Sequence, residues 1–150
     1  VLFVYLGDVR NDVYVTIERG EFERGSGKTA QKNVEVSMCV LGASGRILEG
    51  CIYPGGDSKT CSEYQSIIYY HNGSPKWNET VKVKIPFEKF YGSILRFGFR
   101  HLAKFEDKDK ETKTFAFSFL QLMREDGTTI RDGSHELCIY KVRSPSYHLS

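Results

Sequence analysis

A two-residue alternation of apolar and polar side chains, repeated in short segments, constrains the fold of this chain more than any other feature. In one segment Val81, Val83 and Ile85 alternate with two lysines. Side chains two positions apart lie on one face of a β-strand, so this spacing predicts a strand with one buried and one solvated face. Comparable inward-facing rows are predicted for Val13, Val15 and Ile17, for Leu95, Phe97 and Phe99, for Phe115, Phe117 and Phe119, and for Leu137 and Ile139.

About eight such strands are separated by turns rich in Gly, Pro and Asp, and no segment has a convincing helical period. Further strands are predicted at 33–41 and 63–70, whereas 46–61 is interpreted as an insertion or an incomplete strand. This organisation predicts an all-β fold, an antiparallel β-sandwich. The 150 residues fit one domain, with its core at about 7–142 and a polar C-terminal tail or linker at 143–150.

Composition and motif spacing argue against several classes of function. The formal net charge of +2 is too small for a general nucleic-acid binder, and no apolar run reaches the ~20 residues that span a bilayer. The four cysteines show no C-x-x-C pairing, which predicts reduced packing residues rather than a zinc site. The four histidines stand apart, and no serine or cysteine lies in a nucleophile-elbow context. The chain is therefore predicted to bind a ligand without catalysis, metal or cofactor.

The segment 19–32 matches a nucleotide-binding loop only in part. Gly27 and Lys28 fit the second half of that motif, but Phe22 occupies the position of its first glycine, and a strand rather than a helix follows. Four basic residues against two acidic ones nevertheless favour an anionic ligand. On composition alone, either a multiply phosphorylated ligand or an ordinary solvated loop accounts for this segment. The second lysine-rich loop, 104–113, has as many acidic as basic residues, so charge does not decide between them.

Two sets of motifs resemble known families. "SPKWNE" at 74–79, followed by a strand and then by "ILRFGFRH", resembles a segment of C2-type domains, which are β-sandwiches that dock on membranes. A more specific resemblance, to the first docking-homology region of the dedicator-of-cytokinesis (Dock) family, extends from about Gly7 to Lys141. The segment 21–40 looks most like the Rac-directed branches of that family. The motifs that carry this second resemblance are "GDVRNDVYVTIERGEFERG" at 7–25, "QKNVEV" at 31–36, "ILRFGFRH" at 94–101 and "LMREDGTTIRDGSHELCIYK" at 122–141.

The resemblance implies both a fold and a function. In the Dock family this region is a C2-type sandwich with long loops at one end. It binds phosphatidylinositol 3,4,5-trisphosphate and brings a cytoplasmic guanine-nucleotide exchange factor to the plasma membrane. The exchange reaction belongs to a separate region, so this chain is expected not to be an enzyme. Its expected partners are a phosphoinositide-containing membrane and other regions of the parent protein, with a small GTPase contacted only through that separate region.

The resemblance also implies which residues hold the lipid headgroup. Family members use basic residues of the first loop between strands, and Arg24, Lys28 and Lys32 match those positions. Gly27 lengthens this loop by one residue relative to the family pattern. The lysines of 104–113 lie in the loop that would flank the same pocket. The full set of predicted headgroup residues is Arg24, Lys28, Lys32, Lys104, Lys108, Lys110 and Lys113.

Two further features of these loops bear on how such a domain would meet a membrane. Phe22 and Phe105 are either candidates for insertion into the membrane interface or core residues at strand ends. Calcium-binding C2 domains use aspartates in these loops, whereas Arg100 and His101 stand where one such aspartate is expected. The resemblance therefore implies calcium independence.

Two alternatives stay open at the level of sequence. The first is a protein-interaction or scaffolding sandwich, without a specific lipid site, whose basic loops contact an acidic partner or the rest of its own chain. The second is an ordinary calcium-switched C2 domain, whose lipid binding a chelator would abolish. Replacing Arg24, Lys28 and Lys32 separates the lipid-binding prediction from the protein-interaction alternative.

Overall fold

The structure is a computed structural model, and it describes residues 1–9, 12–22, 34–55, 59–66, 74–101, 114–123, 127 and 129–142. Within these residues the chain forms ten β-strands and one short helix. In chain order they are β1 (Leu2–Val9), β2 (Asp12–Gly20), β3 (Val34–Leu41), β4 (Ile52–Tyr53), β5 (Glu63–Gln65), β6 (Lys76–Val83), α1 (Phe87–Phe90), β7 (Ile94–His101), β8 (Thr114–Gln121), β9 (Gly133–Leu137) and β10 (Tyr140–Lys141).

Two five-stranded sheets pack face to face around the core. Sheet A has the strand order β4-β6-β2-β1-β9, and sheet B has the order β10-β8-β7-β3-β5. Every pairing between these strands is antiparallel. Buried side chains from both sheets form one hydrophobic cluster. The antiparallel β-sandwich predicted from the sequence is thereby confirmed.

The inner faces of the sandwich follow the predicted alternation on β2, β6 and β7. Val15 and Ile17 of β2 and Val83 of β6 are completely buried in sheet A. Phe97 and Phe99 of β7 face them from sheet B and are the largest of the fully buried side chains in the described part of the chain. Each row puts its apolar residues on one face because side chains alternate between the faces of a strand.

The predicted inward row on β8 is wrong for two of its three phenylalanines. Ala116 and Ser118 are the residues that face the core and are completely buried, whereas Phe119 is 45% exposed. The ring of Phe117 stacks on Phe119 with centroids 6.2 Å apart, on the outer face of sheet B. The inner side of β8 has little room, because the large rings of β7 already fill the space beside it.

Phe115 differs from the other two phenylalanines because of a bulge in the pairing of β7 with β8. Phe99 pairs with Ala116, but the next residue, Arg100, pairs with Thr114, so Phe115 is an extra residue on β8. Its partly buried side chain packs against the core cluster. The prediction that Phe115 faces inward is therefore correct, although the alternation that suggested it breaks at this point.

The structure adds a strand, β1, that the alternation did not reveal. Leu2 and Val4 are completely buried, and β1 pairs with both β2 and β9. The first strand was predicted to begin at Val13, because the residues before it are apolar at consecutive positions and show no two-residue period. A strand flanked on both sides in a sheet does not need such a period to be buried.

The segment 46–61 behaves as the predicted incomplete strand. Only Ile52 and Tyr53 form a strand, at the edge of sheet A beside β6. The loop before β6 consequently lies at the same end of the sandwich as the end of β2, where the Gly20 N–H donates to the Pro75 carbonyl over 3.0 Å. β6 begins at Lys76, earlier than the predicted start at Thr80.

A tyrosine joins the two sheets at one edge of the sandwich. The hydroxyl of Tyr64, on β5, donates a hydrogen bond to the carboxylate of Glu79, on β6. Burial, followed by this hydrogen bond, raises the pKa of Tyr64 above its ordinary value of 10.0. The neutral phenol is therefore the form that the folded state favours.

Alkaline pH is expected to destabilise the fold through Tyr64. Above about pH 10 the unfolded chain loses this phenolic proton while the folded chain keeps it, so the free energy of unfolding falls as pH rises. The expected slope from this group is about 1.4 kcal/mol per pH unit. Urea denaturation between about pH 9 and about pH 11 measures it. The variant Tyr64→Phe should lose this part of the slope, and an unchanged slope in the variant would contradict the assignment.

Candidate functional site

Four strand ends meet at one end of the sandwich, here called the loop end. They are the last residue of β2, Gly20, the first of β3, Val34, the last of β7, His101, and the first of β8, Thr114. Val34 pairs with His101, and Thr114 pairs with the residue before His101. The two connections predicted to carry the basic site, from β2 to β3 and from β7 to β8, therefore both begin and finish at these strand ends.

Three aromatic rings close the core at the loop end and form an aromatic cluster. Phe22, just after β2, meets Phe99 of β7 edge to face, with ring centroids 5.3 Å apart. It also meets Phe115 of β8 at 6.2 Å, and those two partners lie 6.5 Å from each other. Such edge-to-face pairs add stability beyond the apolar area that they bury. The cluster fixes the start of one basic connection against the strands that flank the other.

The backbone around Phe22 is anchored on both sides. The Glu21 N–H donates to the Val1 carbonyl at 2.8 Å, and the amino group of Val1 donates to the Glu21 carbonyl at 2.7 Å. Arg19, one of the four basic residues counted in the segment 19–32, is already engaged. It forms an ion pair with Glu21 at 2.7 Å, and its guanidinium lies 3.8 Å above the ring of Phe3. The basic residues of this segment that remain to meet a ligand are therefore those beyond Phe22.

A cavity of about 450 Å³ opens beside the aromatic cluster. Phe22, Phe115 and Ile139 supply apolar side chains to its lining, and Lys141 is the one basic side chain among the described lining residues. Glu21 also lines it. This cavity has the character of an apolar floor rather than of a phosphate site, so charge for an anionic ligand has to come from the adjoining connections.

Most of the predicted site residues lie outside the described part of the chain. Phe22 is the exception, and its partly buried ring packs on the core, as the core alternative for this residue predicted. Its insertion into a membrane stays a prediction. The predicted residues outside the described ranges are Arg24, Lys28, Lys32, Lys104, Phe105, Lys108, Lys110 and Lys113.

A cross-strand ion pair stands directly inside the loop end, and the sequence analysis missed it. Glu35 of β3 and Arg100 of β7 are register partners on the outer face of sheet B. Arg100 Nε donates to Glu35 Oε1 at 2.9 Å, and a second guanidinium nitrogen donates to the same oxygen. The Glu35 side chain is only 8% exposed. Opposite charges on two predicted strands were visible in the sequence, but the register that pairs them was not.

The described residues offer no other assembled chemistry at this end. All four cysteines are free thiols, and burial raises the pKa of Cys39 and of Cys51, which keeps them neutral. Within the described ranges, no three His, Cys, Asp or Glu side chains are grouped as metal ligands would be. The same part of the chain contains no helix long and apolar enough to cross a membrane.

Two packed antiparallel sheets with long connections at one end define a C2-type sandwich, and solved C2 domains match it along nearly the whole chain. The A domain of the C2 type from Drosophila RIM aligns with a TM-score of 0.59 and 14% identity, covering 95% of this chain and 96% of that one. The corresponding A domain of RIM2 aligns with a TM-score of 0.57 and 16% identity, covering 95% of each chain. Identities this low establish the fold alone.

The sequence comparisons identify the branch of this fold. A family model described as the C2 domain in Dock180 and Zizimin proteins matches residues 6–150. Dedicator of cytokinesis protein 3 from Homo sapiens is 53% identical over 136 residues, and dedicator of cytokinesis protein 4 from Homo sapiens is 50% identical over 135 residues. This chain belongs to the C2 domain family of the Dock proteins. It covers 90% of its own length in both matches, but only 6% and 7% of those relatives.

Proposed function

We propose that this chain is a calcium-independent membrane-targeting module that binds phosphatidylinositol 3,4,5-trisphosphate. It brings a longer cytoplasmic guanine-nucleotide exchange factor for Rac-type small GTPases to the plasma membrane. Exchange takes place outside this chain, which meets the GTPase only through a separate region of its parent. The observation that carries the proposal is the aromatic cluster, because it holds together the strand ends from which both basic connections leave.

The charge of the trisphosphate headgroup matches the composition of these connections. Three phosphomonoesters offer several negative charges, and Arg and Lys meet them with charge-assisted hydrogen bonds. Each basic residue near an anionic leaflet contributes about 1 kcal/mol, so several together form a reversible anchor. The proposed headgroup contacts are Arg24, Lys28 and Lys32 in the first connection, with Lys104, Lys108, Lys110 and Lys113 in the second.

Calcium independence is proposed from the charges at the loop end. The position at which a calcium-binding aspartate is expected carries Arg100, and the neighbouring carboxylate of Glu35 is already bonded to its guanidinium. Calcium requires several oxygen ligands, and a guanidinium among them would repel the cation. We expect vesicle binding to be unchanged by a chelator. Binding abolished by chelator would instead favour a calcium-switched C2 domain.

The decisive experiment is vesicle co-sedimentation in the presence of chelator at about 0.15 M salt. It compares vesicles containing the 3,4,5-trisphosphate, the 4,5-bisphosphate, or phosphatidylserine alone. We expect selective pelleting with the trisphosphate, and loss of that pelleting in the triple variant Arg24→Gln, Lys28→Gln and Lys32→Gln. A matched control removes the same charge from exposed residues elsewhere, and it should retain binding. These control substitutions are Arg46→Gln, Lys89→Gln and Arg131→Gln.

The other outcomes of this experiment each contradict part of the proposal. Equal, salt-sensitive pelleting with all three vesicles would mean a diffuse basic surface without a stereospecific pocket. Equal losses in the triple variant and in its charge-matched control would mean that net charge, rather than the loop end, decides binding. No pelleting with any vesicle would favour the protein-interaction alternative. Thermal unfolding of each variant checks that the fold is intact.

One observation favours protein interaction as the second candidate function. The outer face of sheet B carries a row of three aromatic rings, Phe117, Phe119 and Tyr140. Phe119 is 45% exposed and Tyr140 is 60% exposed. Exposed aromatic side chains of this kind are enriched at protein interfaces. Under this alternative Phe119→Ala would weaken association with the partner and leave vesicle binding unchanged.

A further inference from the structure

A second pocket lies on the outer face of sheet A, on a different face of the sandwich from the loop end. It has a volume of about 300 Å³ and is lined by Tyr14, Tyr53, Pro54, Thr80 and Lys82, among others. Three of these residues form one row across three strands, because Tyr14 of β2 pairs with Lys82 of β6, which in turn pairs with Tyr53 of β4. The row therefore presents a lysine between two tyrosines.

Two ammonium groups converge over one wall of this pocket. Lys82 Nζ lies 5.1 Å and Lys84 Nζ lies 5.5 Å from the centroid of the Tyr53 ring. The two lysines share a face because they are two residues apart on extended chain. That extension is held beyond β6 by the Lys84 N–H, which donates to the Cys51 carbonyl at 2.9 Å.

Neither lysine is neutralised within the described part of the chain. The ion pairs found there are those of Arg19 with Glu21 and of Arg100 with Glu35, and neither involves this pocket. An aromatic ring holds a cation in place without cancelling its charge, unlike a carboxylate. Two adjacent, uncompensated ammonium groups beside a cavity match a doubly charged anion such as a phosphomonoester.

The walls of the pocket specify the rest of the ligand. Tyr14 and Tyr53 stand two strand spacings apart, roughly 9.5 Å, which leaves room for one planar ring between them. We infer that this pocket binds an aryl phosphate, presented as a phosphorylated tyrosine side chain of a protein segment. The ring of the ligand packs between the two tyrosines, and its phosphate meets Lys82 and Lys84.

A protein ligand is favoured over a lipid by the position of the pocket. Lys82 is six residues along β6 from Lys76, which begins that strand at the loop end. At ~3.3 Å per residue this separation is about 20 Å. If the loop end faces the bilayer, as proposed above, a pocket this far along the side of the sandwich faces the aqueous phase. This choice between ligands rests on the proposed function, whereas the anion site itself does not.

The test uses the 150-residue chain labelled with ¹⁵N and titrated with phenyl phosphate, phenol, inorganic phosphate or adenosine 5′-monophosphate. We expect saturable amide shifts at Tyr14, Tyr53 and Lys82 with phenyl phosphate, and much weaker binding of the other three probes. The double variant Lys82→Gln, Lys84→Gln should raise the Kd for phenyl phosphate by about ten-fold or more. The charge-matched control Lys76→Gln, Lys89→Gln should leave that Kd unchanged.

Several results would overturn the inference. Absence of saturable shifts, or shifts confined to the loop end near Gly20 and His101, would exclude the pocket as an anion site. Equal binding of inorganic phosphate would remove the role of the tyrosine walls, and tighter binding of the nucleotide would replace the aryl phosphate. A phosphotyrosine peptide should compete with phenyl phosphate, and a phosphoserine peptide should not.

Vesicle binding of the same double variant separates this inference from the proposed function. If Lys82→Gln with Lys84→Gln abolishes trisphosphate-dependent pelleting, the pocket contacts lipid, and the assignment to a protein segment is wrong. If pelleting is retained while binding of phenyl phosphate is lost, the pocket acts independently of the loop end. A failure of the wild-type chain to pellet would contradict the proposed function and would leave the result with phenyl phosphate standing.

Discussion

Replacing Phe97 by alanine is expected to lower the free energy of unfolding by about 4 kcal/mol. Phe97 lies on β7, a strand bonded on both sides within sheet B, and its side chain is completely buried. Its register partners are Met38 on β3 and Ser118 on β8, and both are completely buried as well. Strands fixed on two sides cannot collapse into the space that the ring vacates, so most of the cavity remains.

Urea denaturation followed by the fluorescence of Trp77 measures this loss. Trp77 is the single tryptophan of the chain and is buried in the same core, so its emission reports on core exposure. The midpoint should fall without a change in the slope of the transition. The matched control is Phe119→Ala, which removes the same side chain from the outer face of the neighbouring strand. It should cost less than about 1 kcal/mol, and a loss equal to that of Phe97→Ala would contradict the inside-out assignment of β8.

The contrast between β7 and β8 shows how far hydrophobic alternation determines a fold. On β7 only one of the two faces is apolar, so a period of two is enough to decide which face is buried. On β8 both faces are: Phe117 and Phe119 alternate with Ala116, Ser118 and Leu120. The period then predicts a strand but not its inner side. Volume decides, because the rings of β7 leave room for small residues only.

The loop end was predictable in its charge but not in its construction. Counting basic residues and matching family motifs identified the two connections from the sequence alone. The contact of Phe22 with Phe99 and the pairing of Glu35 with Arg100 join residues far apart in the chain. Such contacts depend on strand register and on the packing of one sheet against the other. A two-residue period specifies neither, so these contacts had to come from the structure.

Replacing Arg100 by methionine is expected to lower the free energy of unfolding by about 3 kcal/mol. The methionine keeps much of the length of the side chain, but it leaves the carboxylate of Glu35 without the two guanidinium donors that it now accepts from. The Glu35 side chain is 8% exposed, so water replaces those donors poorly. Removing one partner from a buried pair costs more than the pair itself contributes, because an uncompensated charge stays behind.

The asymmetry of the pair supplies the control. Glu35→Leu leaves Arg100 unpaired, but its side chain is 27% exposed and can turn its charge towards water, so we expect a smaller loss than in Arg100→Met. The double variant Glu35→Leu, Arg100→Met removes both charges, and it should be more stable than Arg100→Met alone. Urea denaturation of the wild type, both single variants and the double variant gives the coupling free energy directly. A double variant as unstable as the sum of the two singles would mean that the charges do not interact.

The same variants separate a structural role of Arg100 from a role in binding. Glu35 and Arg100 lie within two residues of the ends of the two basic connections, so the pair holds both at a fixed spacing. If that spacing is what matters, the double variant should regain trisphosphate-dependent pelleting together with its stability. If instead the guanidinium itself contacts the headgroup, pelleting should stay low in the double variant while stability returns. Stability and vesicle binding measured on the same four proteins therefore tell whether Arg100 supports the site or belongs to it.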